Sequence, residues 1–349
     1  MKVVDMHCDT ISEMYERRKK GWKGNLLAND LHVDLGKMEK GDYLLQNFAL
    51  FTNLNTQKNP LAYGMKLVDV FYEEIKEHSD KIGMVRTWQE IEENRRNGKM
   101  SALLTLEEGG VCMGELGFLR DFYRLGVRMM TLTWNVPNEL GYPSYMPRCK
   151  NGALPNAWGK KREEEEENGR PPQSVLDQNH GLTKTGIEFV QEMERIGMII
   201  DISHLNDRGI WDVFQYTKKP FVASHSNARA LANHPRNLTD EMIRQLAERG
   251  GVAGINFCAS FLRDEEDGKE PIHSQCCHMV AHMKHMKQVG GIGCIGLGSD
   301  FDGITSIVEM PDCSAMGMLA DEMNRQGFTL AEMEAVFFGN VLRLYRELL

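Results

Sequence analysis

The chain has 349 residues, 42% of them hydrophobic and 26% charged, and a formal net charge of −9. No apolar stretch approaches the roughly 20 residues that a membrane-spanning helix needs. The acidic balance argues against a nucleic-acid partner or an anionic membrane surface, both of which select basic patches, and leaves small molecules as the expected partners. The opening "MKVVDMHCDT" meets acidic residues at once and lacks the basic segment, apolar core and small-residue cleavage site of a secretory leader, so a cytoplasmic protein is expected. Eight cysteines contain no CxxC pair and lie scattered through apolar segments, which points to reduced, buried thiols.

In chain order, apolar runs read as strands in "KVVDMH", "YLLQNFALF", "SALLTLE", "VRMMTLTW", "GMIIDISH", "PFVASHS", "GVAGINF" and "CIGLGSD". Between them, "LVDVFYEEIKEH", "TGIEFVQEMERIG", "TDEMIRQLAERGG" and "VAHMKHMKQVGG" space their apolar residues three and four apart, the periodicity of helices. "TDEMIRQLAERG" supplies its own punctuation: Thr239 as N-cap, Asp240 and Glu241 in the first turn, Gly250 beyond the end. Strands apolar along their length, alternating with helices about eight times, predict a parallel sheet closed into a (β/α)8 TIM barrel of one domain, residues 1–349. An open doubly wound sheet is the alternative; no GxGxxG follows the first strand to support it.

After the fourth strand the pattern lapses. About 45 residues between Trp134 and Thr183 are rich in Pro, Gly and charge, longer than an ordinary connection, and are expected over the active face as a lid, a subunit contact or a solvated excursion. The glutamate run Glu163 to Glu167 within it reads as a solvated stretch of like charges.

The strand ends carry the chemistry. Residues two apart in a strand face the same way, so His7 and Asp9 project together into a barrel mouth. Four further strands end in Glu107 and Glu108, in His204, in His225, and in Asp300 and Asp302. Any one of these is explained by an interior polar group with hydrogen-bond partners. Five on one rim would each cost several kcal/mol if charged and uncompensated, on the order of a desolvation penalty, and two zinc ions are the natural compensation. Chain order places His7 and Asp9 on one ion and His204 and His225 on the other, with a glutamate between.

The ordered set "DMHCDT", "LEEGG", "GMIIDISHL", "SHS…HPRNLTD", "GGVAGINF" and "GLGSDFDG" resembles the zinc-dependent membrane (renal) dipeptidase family of the amidohydrolase superfamily, from Val3 to about Leu344. The resemblance implies a metal-dependent hydrolase barrel with two zinc ions per chain, bridged by Glu108 and a hydroxide, with His7, Asp9, His204 and His225 as the remaining ligands. Glu107 would be a structural neighbour and Asp302 would lie behind the ligands. Asp300 would handle the proton, and Arg236 would hold the free carboxylate of a small peptide with its planar fork. A dimer is also implied.

Where better-known members have a histidine after "LTLT", this chain has Trp134, expected to line the substrate pocket; its indole N–H cannot replace an imidazolium at an oxyanion. Two other readings stay open: an amidohydrolase acting on N-acyl amino acids, and a noncatalytic metal-binding barrel. The helix carrying His278, His282 and His285 is read as packing, because no fourth ligand accompanies the three.

Overall fold

The computed structural model describes residues 1–144, 179–263 and 273–349. Among them nine strands form one all-parallel sheet: β1 (Val3–Asp5), β2 (Tyr43–Phe51), β3 (Ile82–Val85), β4 (Met100–Glu107), β5 (Met129–Thr131), β6 (Ile199–Asp201), β7 (Val222–Ala223), β8 (Val252–Ile255) and β9 (Ile295–Leu297). Eight of them close on themselves, because β1 pairs with both β2 and β9 while β2 pairs directly with β4. The result is the (β/α)8 barrel expected from the alternation of elements.

The extra strand is β3. It lies against the first half of β4, Ile82 to Val85 opposite Met100 to Leu103, whereas β5 pairs with the second half, Met129 to Thr131 opposite Thr105 to Glu107. One edge of β4 is thus shared, and β3 stands outside the closed ring. Four residues are too few to display a period, so the sequence reading passes over it.

Apolar side chains divide into two layers. Val4, Met6, Leu45, Leu103, Met129, Ile199, Val222 and Val252 cluster inside the barrel with Val341, Leu344 and Tyr345 of the helix Asn340–Leu348. That helix plugs the end away from the strand C-termini, and Tyr345 Oη exchanges hydrogen bonds with Asn47 at 2.7 and 2.9 Å. A larger cluster joins the outer strand faces to the surrounding helices. The caps follow the sequence: Thr239 accepts from Met242 N–H, and Gly250 takes φ +79° after the helix Asp240–Glu248.

Among the described residues no helix is long and apolar enough to cross a membrane. Seven cysteines there are free thiols. Of the segment between Trp134 and Thr183, read as a lid, a subunit contact or a solvated excursion, residues 145–178, the glutamate run included, lie outside the described residues. The histidines of the helix Cys276–Gly290 pack as expected: buried His282 accepts from Ala228 N–H and donates to the Leu262 carbonyl, and His285 meets Asp240.

Candidate metal centre

The strand C-termini converge on a cleft of about 1360 Å³ whose lining includes Asp9, Glu107, Trp134, His204 and Asp300. At its floor three imidazoles and three carboxylates meet. The first pair comes from β1, whose ladder continues past Asp5 because Cys8 bridges Phe301 and Asp9 N–H donates to the Phe301 carbonyl. His7 Nε2 lies 3.5 Å from Asp9 Oδ2 and 3.8 Å from Asp300 Oδ1.

The glutamate at the centre is Glu107, and this corrects the expectation for Glu108. Glu107 Oε2 is 3.5 Å from His7 Nε2, while Glu107 Oε1 is 3.0 Å from His204 Nε2 and 3.7 Å from His225 Nε2. Parity along β4 is the reason. Leu103 faces the barrel interior, so Thr105 and Glu107 follow it inward and Glu108 leaves the alternation. Glu108 takes φ +98°, and its carboxylate accepts from Gly110 N–H at 2.7 Å, Trp134 N–H at 3.0 Å and the Asn138 amide. It is fully buried and burial pushes its pKa up to about 7 against those three donors.

His204 and His225 point their Nε2 atoms at each other across 3.0 Å. Each has its other nitrogen occupied. His204 Nδ1 meets Asn135 Oδ1 at 3.0 Å, and His225 Nδ1 meets Ser224 Oγ at 2.7 Å, which donates in turn to Asp201 Oδ2 at 2.5 Å. A proton held on Nδ1 leaves the Nε2 lone pair for coordination. Asp201 also accepts from the Ser203 and Ser224 N–H groups, tying the ends of β6 and β7. Asp5 plays the same part between β1 and β9, accepting from Ser299 N–H and Oγ. The sequence reading missed Asp5, Asp201 and Asn135. An aspartate inside the apolar runs "VVDMH" and "MIIDISH" is itself a signal, because a buried carboxylate needs dedicated donors.

The backbone is bent to make this rim. Of six non-glycine residues with positive φ among the described residues, four stand here: Glu108, His204, Asp300 and Asp302. Such conformations cost of order 1–3 kcal/mol each and cluster at functional sites. Asp302 turns behind this cluster, accepting from Thr10 Oγ1 at 2.6 Å and His32 N–H at 2.7 Å. Asp300 Oδ2 accepts from Asn256 Nδ2 at 2.9 Å.

The electrostatics of the cluster suit a cation. Burial, with Asp9 adding to it, raises the Glu107 carboxyl well above its ordinary range; burial likewise pushes Asp300 up to about 6, opposed by His7. His204 and His225 are held well below the usual imidazole range by burial, with Arg236 and His7 adding to it. Burial also works against a charge on His7, but Glu107 and Asp9 outweigh it. A dication inverts this logic, favouring ionised carboxylates and neutral imidazoles together.

The residues fit a metal pair. His7 Nε2 and Asp9 Oδ1 are buried without a hydrogen-bond partner. Two ligands of one tetrahedral zinc at 2.0–2.1 Å stand roughly 3.3 Å apart. The His204, His225 and Glu107 Oε1 separations of 3.0 to 3.7 Å, and the His7–Asp9 and His7–Glu107 Oε2 separations of 3.5 Å, have that spacing.

Arg236 is buried beside this group. Its Nη atoms reach Ser226 Oγ at 3.3 Å and the His225 carbonyl at 3.2 Å, its Nε has no partner, and it makes no ion pair among the described residues. Trp134 lines the cleft, its ring 4.8 Å from Phe51 and 6.2 Å from His204.

A parallel barrel with imidazoles and carboxylates gathered at the C-terminal ends of its strands has the residue types of a metal-dependent enzyme on the face where such barrels carry their active sites. Residues 1–348 match the family described as membrane dipeptidase, peptidase family M19, and the chain belongs to this family of metallopeptidases. It is 32% identical over 257 residues to an uncharacterised protein from the pqqA 5′ region of Klebsiella pneumoniae, covering 74% of this chain and 85% of the relative. It is 28% identical over 334 residues to an uncharacterised dipeptidase of Schizosaccharomyces pombe, covering 90% and 72%. In fold it is similar to a metallopeptidase from Rhodobacter sphaeroides crystallised with a phosphinate mimic of the dipeptide L-Ala-D-Ala (TM-score 0.82, 23% identity, 100% and 99% covered). The dipeptidase PvdM of Pseudomonas aeruginosa, itself described as probable, gives a TM-score of 0.80 at 18% identity, with 94% and 92% covered.

Proposed function

We propose that the protein is a binuclear zinc dipeptidase, with Glu107 in the bridging place. The observation that carries this reading is the Glu107 carboxylate, one oxygen turned to His7 and the other to His204 and His225. Mixed imidazole and carboxylate donors at tetrahedral spacing suit zinc. When bound, a zinc pair polarises the scissile carbonyl and brings the pKa of a water near 7.

The chain's own residues supply the rest. Asp300, hydrogen-bonded to Asn256 and open to the cleft, accepts a proton from the attacking water and returns it to the departing amine. Arg236, a buried cation with an unpaired Nε, holds the substrate's C-terminal carboxylate. Fixing that carboxylate beside the metal floor restricts the enzyme to very short peptides. Trp134 and Phe51 form an apolar wall of the cleft, in place of a family histidine.

The test is zinc-loaded protein against a panel of dipeptides, including D-residues at the C-terminal side, and N-acyl amino acids. Hydrolysis of dipeptides is expected. Release from the acyl compounds alone would replace the dipeptidase reading with a deacylase, and failure to take up zinc would favour a noncatalytic barrel.

A further inference from the structure

The Glu108 carboxylate hydrogen-bonds to none of the proposed metal ligands, yet it grips both ends of the segment that carries a partner of one of them. Oε2 accepts from Trp134 N–H, and Oε1 accepts from Gly110 N–H and from the Asn138 amide, which also donates to the Leu132 carbonyl at 2.8 Å. Between Trp134 and Asn138 stands Asn135, whose Oδ1 meets His204 Nδ1. Asn138 Oδ1 then closes the turn on Leu140 and Gly141 N–H.

Three features separate this from an ordinary satisfied carboxylate. Glu108 holds a positive φ, a strained choice where glycine would be cheaper, and the strain aims its side chain at residues 133–138. Its three hydrogen-bond partners are N–H donors from three different residues, so both carboxylate oxygens are engaged as acceptors. The segment it holds carries both a cleft wall, Trp134, and the acceptor that sets a histidine's tautomer, Asn135.

We propose that Glu108 is a positioning residue: it fixes residues 133–138 so that Asn135 keeps the proton of His204 on Nδ1 and leaves Nε2 for the metal. An amide at 108 puts an N–H against an N–H, loosens Trp134 and Asn138, and frees Asn135 from His204. This inference rests on His204 being a metal ligand, but its first readout needs no metal.

The experiment compares wild type, Glu108→Gln, Asn135→Ala and the double variant. In metal-free protein, imidazole ¹⁵N spectra are expected to show His204 as one Nδ1-protonated tautomer in the wild type and as a mixture in each variant. Zinc titration is expected to show affinity for the His204 ion reduced about 10- to 100-fold in either single variant, with the His7 ion retained. The double variant is expected to lose no more than the worse single, because both act on one contact. A Glu108→Gln protein with lowered thermal stability but wild-type tautomer and zinc affinity overturns the proposal, as do additive losses. Should Glu108→Gln fail to fold, Asn135→Ala decides: an unchanged His204 spectrum and affinity overturn it. Tautomer changes in a protein that takes up no zinc would support the positioning and end the metal reading.

Discussion

His204 and His225, brought from the ends of neighbouring strands, face each other Nε2 to Nε2 across 3.0 Å with both Nδ1 positions already engaged. Two lone pairs so placed repel unless a cation lies between them. Metal bound only by the folded state therefore stabilises it by mass action, about 2.7 kcal/mol at one hundred times the Kd. Chelation is expected to lower Tm and zinc to restore it in thermal melts; a Tm indifferent to chelator would show that the pair is held some other way.

Asp300→Asn keeps the hydrogen bond with Asn256 possible but removes the proton acceptor. Turnover is expected to fall about 10²- to 10⁴-fold with zinc content unchanged. Steady-state kinetics beside metal analysis check this, and wild-type kcat would assign the proton transfer to another group.

Gly303 is packed against two carboxylates of the cleft so closely that a Cβ there would stand 2.1 Å from Asp9 Oδ2 and 2.6 Å from Asp300 Oδ1. Gly303→Ala must displace both carboxylates. A shift of about 1 Å in such groups costs about 10²-fold in rate, so kcat/KM is expected to drop by that order while the circular dichroism spectrum stays the same. Unaltered kinetics would mean that the two carboxylates do not need their present places.

Legibility in the sequence followed physical rules. Alternating apolar strands and amphipathic helices made the barrel readable, and polar strand ends marked its working rim. The choice between Glu107 and Glu108 was not readable, because "SALLTLEE" is buried on both faces and shows no alternation from which to count parity. Asn135 was hidden for a different reason: it lies in an irregular segment, and its contact with His204 spans 69 residues. Asp201 and Asp5 were visible as carboxylates in apolar runs, and what they hold became clear only from the strand order.

His282, away from the candidate metal centre, gives the fold a pH signature. Burial holds its pKa down to about 4, so between the ordinary imidazole value of 6.5 and about 4 the unfolded chain binds a proton that the folded chain refuses. Stability present above pH 6.5 is lost as pH falls through that window, by on the order of 3 kcal/mol. Denaturant titrations at pH 7 and 4.5 are expected to show a smaller acid loss in His282→Gln than in wild type. Equal losses would place the acid sensitivity elsewhere.

The most direct measurement is zinc per chain, by elemental analysis of zinc-replete, desalted protein, alongside dipeptide hydrolysis on the same samples of wild type, Glu107→Gln and Glu108→Gln. Two zinc ions and activity are expected in wild type, and loss of at least one ion with nearly all activity in Glu107→Gln. In Glu108→Gln the His7 ion is expected to remain. Two zinc ions and full hydrolysis in Glu107→Gln would contradict the account at its centre.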